Sequence, residues 1–279
     1  MIHTKWFIMA ASLALLTACS DDQAKPAENE EAASEETVEE TPNDTEEAAV
    51  TEDEEPVEEI EEVEEVVAEP AYRLNPATWG VEPIADAPAE AVLITIDDAP
   101  DKNAVAMATT LKEKNVPAIF FVNGHFLDSD EEKENLKKIH EMGFAIGNHT
   151  NTHPNLKEIS EEQQHEEILA VSDTVEEIIG ERPKFFRAPH GVNTDFSKAL
   201  VAEDGMLLMN WSYGYDWEQQ YQDPAALTDI MVNTEFLRNG SNLLMHDRDW
   251  TAEALPGIID GLSAKGYSFV DPAELEGVE

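Results

Sequence analysis

The sequence has little positive charge, one cysteine and no long apolar run. Its 279 residues include 17 Lys and Arg against 61 Asp and Glu, which gives a formal net charge of −44 at pH 7. Because phosphate backbones bind to basic surfaces, this balance argues against a nucleic-acid partner. A single cysteine excludes an intrachain disulfide, and the apolar runs are too short for several membrane-spanning helices.

That one cysteine, Cys19, stands at the end of an apolar segment near the start of the chain. Lys5 precedes the apolar run at residues 6–16, and this pattern is typical of a secretion signal. The run ends in LTAC at residues 16–19, which resembles the lipobox of bacterial lipoproteins. We therefore expect a signal peptide over residues 1–18, lipidation of Cys19, and an extracytoplasmic protein held to the cell membrane by lipid alone. An ordinary signal peptide that contains a cysteine is the alternative.

Residues 20–70 lack aromatic side chains and contain a single base. They carry 23 acidic residues, and Lys25 is the base. Such a segment repels itself and cannot bury enough apolar surface to offset the entropy lost on ordering. We predict that residues 19–70, beginning with the lipidated cysteine, form a disordered acidic tether.

Residues 71–279 alternate short apolar runs with helical patterns. The longest predicted helix opens with a capping box at Ser160 and closes at Gly180. About seven β/α units follow one another, with strands predicted at residues 91–96, 117–122, 144–147, 184–187, 206–210, 242–245 and 267–270. This alternation predicts an α/β domain with a parallel sheet, open or closed into a barrel. The active site is then expected at the carboxyl ends of the strands.

Side chains that could bind a metal ion, transfer a proton or contact a substrate follow five of these strands. A lone H-x-x-x-H pair can bring two imidazoles to one cation, although surface histidines would explain it equally well. A pair of acids before a helix can likewise be a cap. Chance explains the whole set poorly, since the groups share one end of successive strands: Asp97 and Asp98, His149 and His153, Arg187 and His190, Asp216 and Trp217, Leu244 and His246.

These segments, in this order, resemble the motifs of polysaccharide deacetylases with a NodB homology domain, also called carbohydrate esterase family 4. The resemblance covers about residues 84–272 and implies a distorted (β/α) barrel similar to a TIM barrel. The family forms T-F-D-D-G, H-[ST]-x-x-H-P, R-x-P-x-G, D-W and L-x-H correspond to residues 95–99, 149–154, 187–191, 216–217 and 244–246. Two positions depart from the usual pattern: Ala99 replaces glycine, and Tyr213 replaces an additional aspartate found in many members.

The resemblance implies metal-dependent hydrolysis of N-acetyl groups on a glycan. Asp98, His149 and His153 are the expected ligands of a divalent cation. Zn²⁺ is expected first, while Co²⁺, Ni²⁺ and Mn²⁺ also suit nitrogen and oxygen ligands.

The remaining motif residues have implied roles in the reaction. Asp97 is the expected general base, paired with Arg187, and His246 is the expected general acid. The backbone N–H of His190 is expected to stabilise the oxyanion. Trp217 and Leu244 are expected to wall the acetyl-methyl pocket, and Asp216 to hold either His246 or Arg187.

Peptidoglycan is the acetylated glycan nearest to a membrane anchor and is the expected substrate. Chitin oligomers and acetylated xylan are the alternatives within the family. A non-catalytic lipoprotein that binds glycan or metal on the same fold is a competing interpretation. It would be favoured by loss of a base, an acid or a ligand, and none of these groups is missing here.

Overall fold

The computed structural model describes residues 69–278 of the chain. The predicted signal peptide, Cys19 and all but the last two residues of the predicted tether lie outside the described residues. Every helix from residue 69 onward is too short or too polar to cross a membrane.

The sheet of the domain is parallel and contains seven strands. A short antiparallel hairpin, which the sequence did not predict, precedes it and consists of β1 (Tyr72–Leu74) and β2 (Val81–Pro83). The order in the sheet is β7-β6-β5-β4-β3-β8, with β9 beside β3. The strands are β3 (Ala91–Ala99), β4 (Ile119–Val122), β5 (Ala145–Asn148), β6 (Phe185–Phe186), β7 (Leu207–Leu208), β8 (Ser241–His246) and β9 (Ser268–Phe269).

Six α-helices connect and cover these strands. The longest one has the predicted capping box at Ser160, and Gly180 ends it with φ 85°. The helices are α1 (Ala104–Glu113), α2 (Asp130–Glu141), α3 (Glu161–Ile179), α4 (Asp195–Glu203), α5 (Pro224–Asn233) and α6 (Asp249–Ala264).

The sheet curls towards a barrel, and the segment after β7 nearly closes it. The N–H of Ser212 donates to the carbonyl of Asn242 at 2.8 Å, and the N–H of Leu244 donates to the carbonyl of Tyr213 at 2.9 Å. One parallel bridge thereby joins this segment to β8. The predicted fold, a distorted barrel of about seven β/α units, is confirmed.

Alternation along the strands separates the two faces of the sheet. Side chains of β3 at Val92, Ile94 and Ile96 pack against the helices. Leu93 belongs to the inner apolar cluster, which also contains Phe121 and Phe185. Since successive residues of a strand point to opposite faces, the inner face continues beyond these apolar residues into the polar groups at the strand ends.

The two residues that depart from the family pattern, Ala99 and Tyr213, have structural explanations. Ala99 is fully buried and is not among the described residues with positive φ, so glycine is not required at this position. Tyr213 is buried, and its hydroxyl donates to the carbonyl of Met231 at 2.8 Å, away from the strand-end site. Burial raises the pKa of Tyr213, and Tyr215 and Tyr267 raise it further.

The Tyr213→Phe variant tests this structural role. We expect the free energy of unfolding in urea to fall by about 1 kcal/mol, because one buried hydrogen bond is lost. The affinity of the protein for Zn²⁺ should stay unchanged. A variant with native stability and weaker Zn²⁺ binding would place Tyr213 in the site instead.

Candidate active site

A cavity of about 410 Å³ opens at the carboxyl ends of the strands and collects most of the predicted residues. Arg187 and Asp216 are the two predicted residues that do not line it, and both are fully buried. The residues that line the cavity are Asp97, Asp98, His149, His153, His190, Trp211, Trp217, Leu244, His246 and Arg248.

A larger cavity, of about 600 Å³, lies at the amino ends of β6 and β7. Two of its charged lining residues, Arg182 and Asp204, are paired with each other, and Arg182 is also paired with Asp173 and Glu176. The smaller cavity is therefore the better candidate site, because chemically distinct groups converge there.

The two adjacent acids reach the same cavity because β3 is irregular at its end. The pairing of β3 with β4 shifts register between Ile96 and Ala99, and Asp98 has φ 60°. In a regular strand, Asp97 and Asp98 would point to opposite faces. The shift is a bulge, which turns both carboxylates towards the site. The structure thus extends β3 through the acid pair, which the sequence placed after the strand.

Asp98, His149 and His153 form a group that can hold a metal ion. Their ligand atoms lie within 4.8 Å of one another. The Oδ1 atom of Asp98 is 4.0 Å from Nε2 of His149 and 3.8 Å from Nε2 of His153. These separations are too long for hydrogen bonds between the three groups. The atoms instead surround a common point, as the ligands of one cation do.

The protonation of these ligands suits a divalent cation. His149 donates its Nδ1 proton to the carbonyl of Arg187 at 2.6 Å, which leaves Nε2 with a free lone pair. Burial lowers the pKa of His149, and burial together with His149 lowers the pKa of His153 to about 4. Burial raises the pKa of Asp98, but His246, His149 and Arg248 outweigh it, and the net pKa is lowered. One anion and two neutral imidazoles are present near neutral pH.

Asn123, which lies outside the predicted set, supports the loop that carries both histidines. Its amide donates to the carbonyls of His149 at 2.7 Å and Thr150 at 3.1 Å. Thr150 and His153 have φ 67° and 60°, so this loop needs such support. Gly124 packs directly behind it, since a Cβ atom there would lie 2.0 Å from Oδ1 of Asn151. The position of Asn123 directly after the second predicted strand is the signal that could have found it.

Asp97 is held by Arg187 beneath the cavity. The Nη1 group of Arg187 donates to Oδ1 of Asp97 at 2.6 Å and to the hydroxyl of Thr95 at 2.8 Å. The guanidinium also lies 4.3 Å from the ring centre of Phe121. The other oxygen of Asp97, Oδ2, is 3.5 Å from Nε2 of His149. Asp97 therefore points one oxygen at the arginine and the other towards the cation site.

Asp216 is hydrogen-bonded to His246, one of the two partners expected for it. Its Oδ1 atom accepts the Nδ1 proton of His246 at 2.7 Å, and its Oδ2 atom accepts the backbone N–H of His246 at 2.6 Å. Thr251 also donates to Oδ2 at 2.8 Å. Burial lowers the pKa of His246, but the hydrogen bond and charge of Asp216, with Asp97 and Asp98, raise it overall.

Aromatic and apolar side chains form the rim of the cavity. Trp217 is 47% exposed, and its ring centre lies 5.6 Å from that of His246. Trp211, outside the predicted set, contacts Trp217 edge-to-face at 6.5 Å. The ring of His190 meets that of His153 at 4.9 Å. Arg248 is the other unpredicted lining residue, although its place two residues after His246 is a usable signal.

Comparisons with known proteins agree with this fold and site. The family model "Polysaccharide deacetylase" matches residues 85–209. A peptidoglycan-N-acetylglucosamine deacetylase of Bacillus cereus is 30% identical over 186 residues, which is 64% of this chain and 66% of the relative. This chain therefore matches slightly less than two thirds of that relative's length.

Solved structures show the same fold. A family 4 carbohydrate esterase from Streptomyces lividans, in complex with acetate, matches with a TM-score of 0.58 and 25% identity, over 64% of this chain and 91% of that one. A family 4 pseudoenzyme from Bacillus anthracis matches with a TM-score of 0.60 and 26% identity, over 66% of this chain and 64% of that one.

The fold and site define a barrel-like α/β protein with a group of side chains able to hold a metal ion at the carboxyl ends of its strands. Residues 85–209 of this chain belong to the polysaccharide deacetylase family.

The His153→Gln variant tests the metal site. We expect its affinity for Zn²⁺ to fall more than about 100-fold, because one of three ligands is lost. The measurement is a competition titration with a chromogenic chelator. The matched control is His165→Gln, since His165 is exposed on α3. Equal affinities in the two variants would contradict the assignment.

Proposed function

We propose that this chain is a metal-dependent N-deacetylase that hydrolyses N-acetyl groups on an extracytoplasmic glycan, with peptidoglycan as the expected polymer. One observation carries the proposal. Asp97 and His246 face each other in register on β3 and β8, and the Asp98, His149 and His153 group lines the same cavity. A base, an acid and a cation site therefore surround one small space.

Asp97 supplies the base in this proposal. A divalent cation held by Asp98, His149 and His153 would polarise the acetyl oxygen and make a bound water more acidic. Asp97 accepts the proton of the water that adds to the acetyl carbon. The hydrogen bond from Arg187 fixes one oxygen of Asp97, and the other oxygen faces the candidate cation site.

His246 supplies the acid. Its Nδ1 proton is engaged with Asp216, so Nε2 is the atom available to the substrate. As the bond between the acetyl carbon and the sugar nitrogen breaks, Nε2 donates a proton to that nitrogen. The products are a free amine on the sugar and acetate. Asp216 keeps His246 oriented and favours its protonated form.

The backbone of His190 supplies a further donor. His190 has φ 58°, and its N–H has no acceptor among the described residues, whereas the next two N–H groups bond within the same turn. Such a free N–H can stabilise the negative charge that develops on the acetyl oxygen. Trp217 and the buried Leu244 wall the space for the methyl group.

The substrate and location rest on the sequence and on the relatives. The similar Bacillus cereus protein is a peptidoglycan-N-acetylglucosamine deacetylase. A lipid on Cys19 and an acidic tether over residues 19–70 would place the domain outside the cytoplasmic membrane, within reach of a wall polymer. Chitin oligomers and acetylated xylan are alternative substrates of the same chemistry.

A second candidate function is non-catalytic binding of glycan or metal. The similarity to a family 4 pseudoenzyme is the observation that favours it. The presence here of Asp97, the three ligand residues and His246 in one cavity favours catalysis instead.

Acetate release from purified peptidoglycan by the full chain tests the proposal. We expect release with added Zn²⁺, none with a chelator, and at least about 100-fold less from the Asp97→Asn variant, which lacks the base. Chitin oligomers and acetylated xylan are assayed in parallel. Release from one of these alone would keep the reaction and change the substrate. Metal binding without release from any acetylated glycan would favour the non-catalytic function.

The Asp216→Asn variant tests the acid. His246 must be protonated to act, so activity falls as pH rises through its pKa. Because Asp216 raises that pKa, the variant should lose activity at lower pH than the wild type. We expect the alkaline limb of the kcat/KM profile to move to lower pH, with activity at pH 8 about 100-fold lower. The control is Asp229→Asn on the exposed face of α5. An unshifted limb would argue against this role of Asp216.

A further inference from the structure

Arg248 joins the candidate cation site from the junction of β8 and α6. It lines the cavity, and its side chain is 36% exposed. Its Nη1 group donates to the carbonyl of Asp247 at 3.2 Å, which anchors the side chain against the backbone. Among the residues that line the cavity, Arg248 alone carries a permanent positive charge.

The two oxygens of Asp98 have different surroundings. Oδ2 accepts a hydrogen bond from Nη2 of Arg248 at 2.6 Å. Oδ1 faces the Nε2 atoms of His149 and His153 at 4.0 and 3.8 Å. Oδ2 is therefore hydrogen-bonded to Arg248, whereas Oδ1 faces the two histidines.

Asp98 depends on Arg248 for this orientation. In the part of the chain that the structure describes, Arg248 is the only hydrogen-bond donor to its carboxylate. The carboxylate sits beside that of Asp97, which is paired with the other arginine of the site, Arg187. Each of two adjacent acids thus has its own arginine, which offsets their mutual repulsion.

We propose that Arg248 is a positioning residue for the cation site. By holding Oδ2 of Asp98, it presents Oδ1 alone to a divalent cation and prevents the carboxylate from turning both oxygens inward. Hydrogen-bond partners of metal ligands typically contribute 10- to 100-fold to metal affinity. The inference rests on the proposed function, because it takes Asp98 to be a metal ligand.

The experiment measures the Zn²⁺ dissociation constant of the full chain by chelator competition, without glycan. We expect Arg248→Gln to bind Zn²⁺ about 10-fold more weakly than the wild type. Arg248→Lys should be intermediate, because an ammonium keeps the charge but not the planar fork of donors. The matched control is Arg238→Gln, since Arg238 is exposed and, within residues 69–278, forms hydrogen bonds only through its backbone, with Ser241.

Three results would overturn the proposal. These are an Arg248→Gln affinity within twofold of the wild type, tighter binding in that variant, and an equal loss in Arg238→Gln. Thermal unfolding of the metal-free variants shows whether each is folded. If Arg248→Gln is not folded, the comparison of Arg248→Lys with the wild type tests the proposal instead. Wild-type protein that binds Zn²⁺ but releases no acetate would refute the proposed activity alone. A wild type that binds no Zn²⁺ would overturn both.

Discussion

The buried side chain and backbone of Arg187 connect the separate parts of the site. Its guanidinium bonds to Asp97 and Thr95 on β3 and to the carbonyl of Asn210 after β7, while its own carbonyl accepts the ring proton of His149. A fully buried charge is tolerated only when such partners are in place. The positions of the proposed base, Asp97, and of one proposed metal ligand, His149, therefore depend on the same residue. Any shift of β6 would displace both.

The sequence predicted those features that follow from local periodicity. The apolar runs located the seven strands, because residues buried on both faces of a parallel sheet are apolar along their length. The residues just beyond the runs then share one edge, which explains why eight of the ten predicted domain residues line a single cavity. The β1–β2 hairpin was missed because neither strand is an apolar run: a charged residue interrupts each of them, Arg73 in β1 and Glu82 in β2.

Contacts between distant residues could not be predicted in this way. The partner of Asp216 depends on where the segment after β7 crosses to β8, and no local pattern encodes that crossing. Arg248 and Asp98 are 150 positions apart in sequence, and their contact arises because β3 and β8 are neighbours in the sheet. The bulge that turns Asp98 inward could not be predicted from the sequence either, since it arises in the pairing of β3 with β4.

The three motif histidines show how one residue type acquires opposite properties within one cavity. Burial removes water from all of them, which by itself favours the neutral ring. His149 and His153 follow this trend, and a neutral ring is the form that binds a metal. His246 is held against the buried carboxylate of Asp216, which reverses the effect of burial and favours the charged ring. The placement of Asp216 thus distinguishes the proposed acid, His246, from the two proposed metal ligands, and the proposed reaction needs both forms of the ring, one to hold a cation and one to deliver a proton.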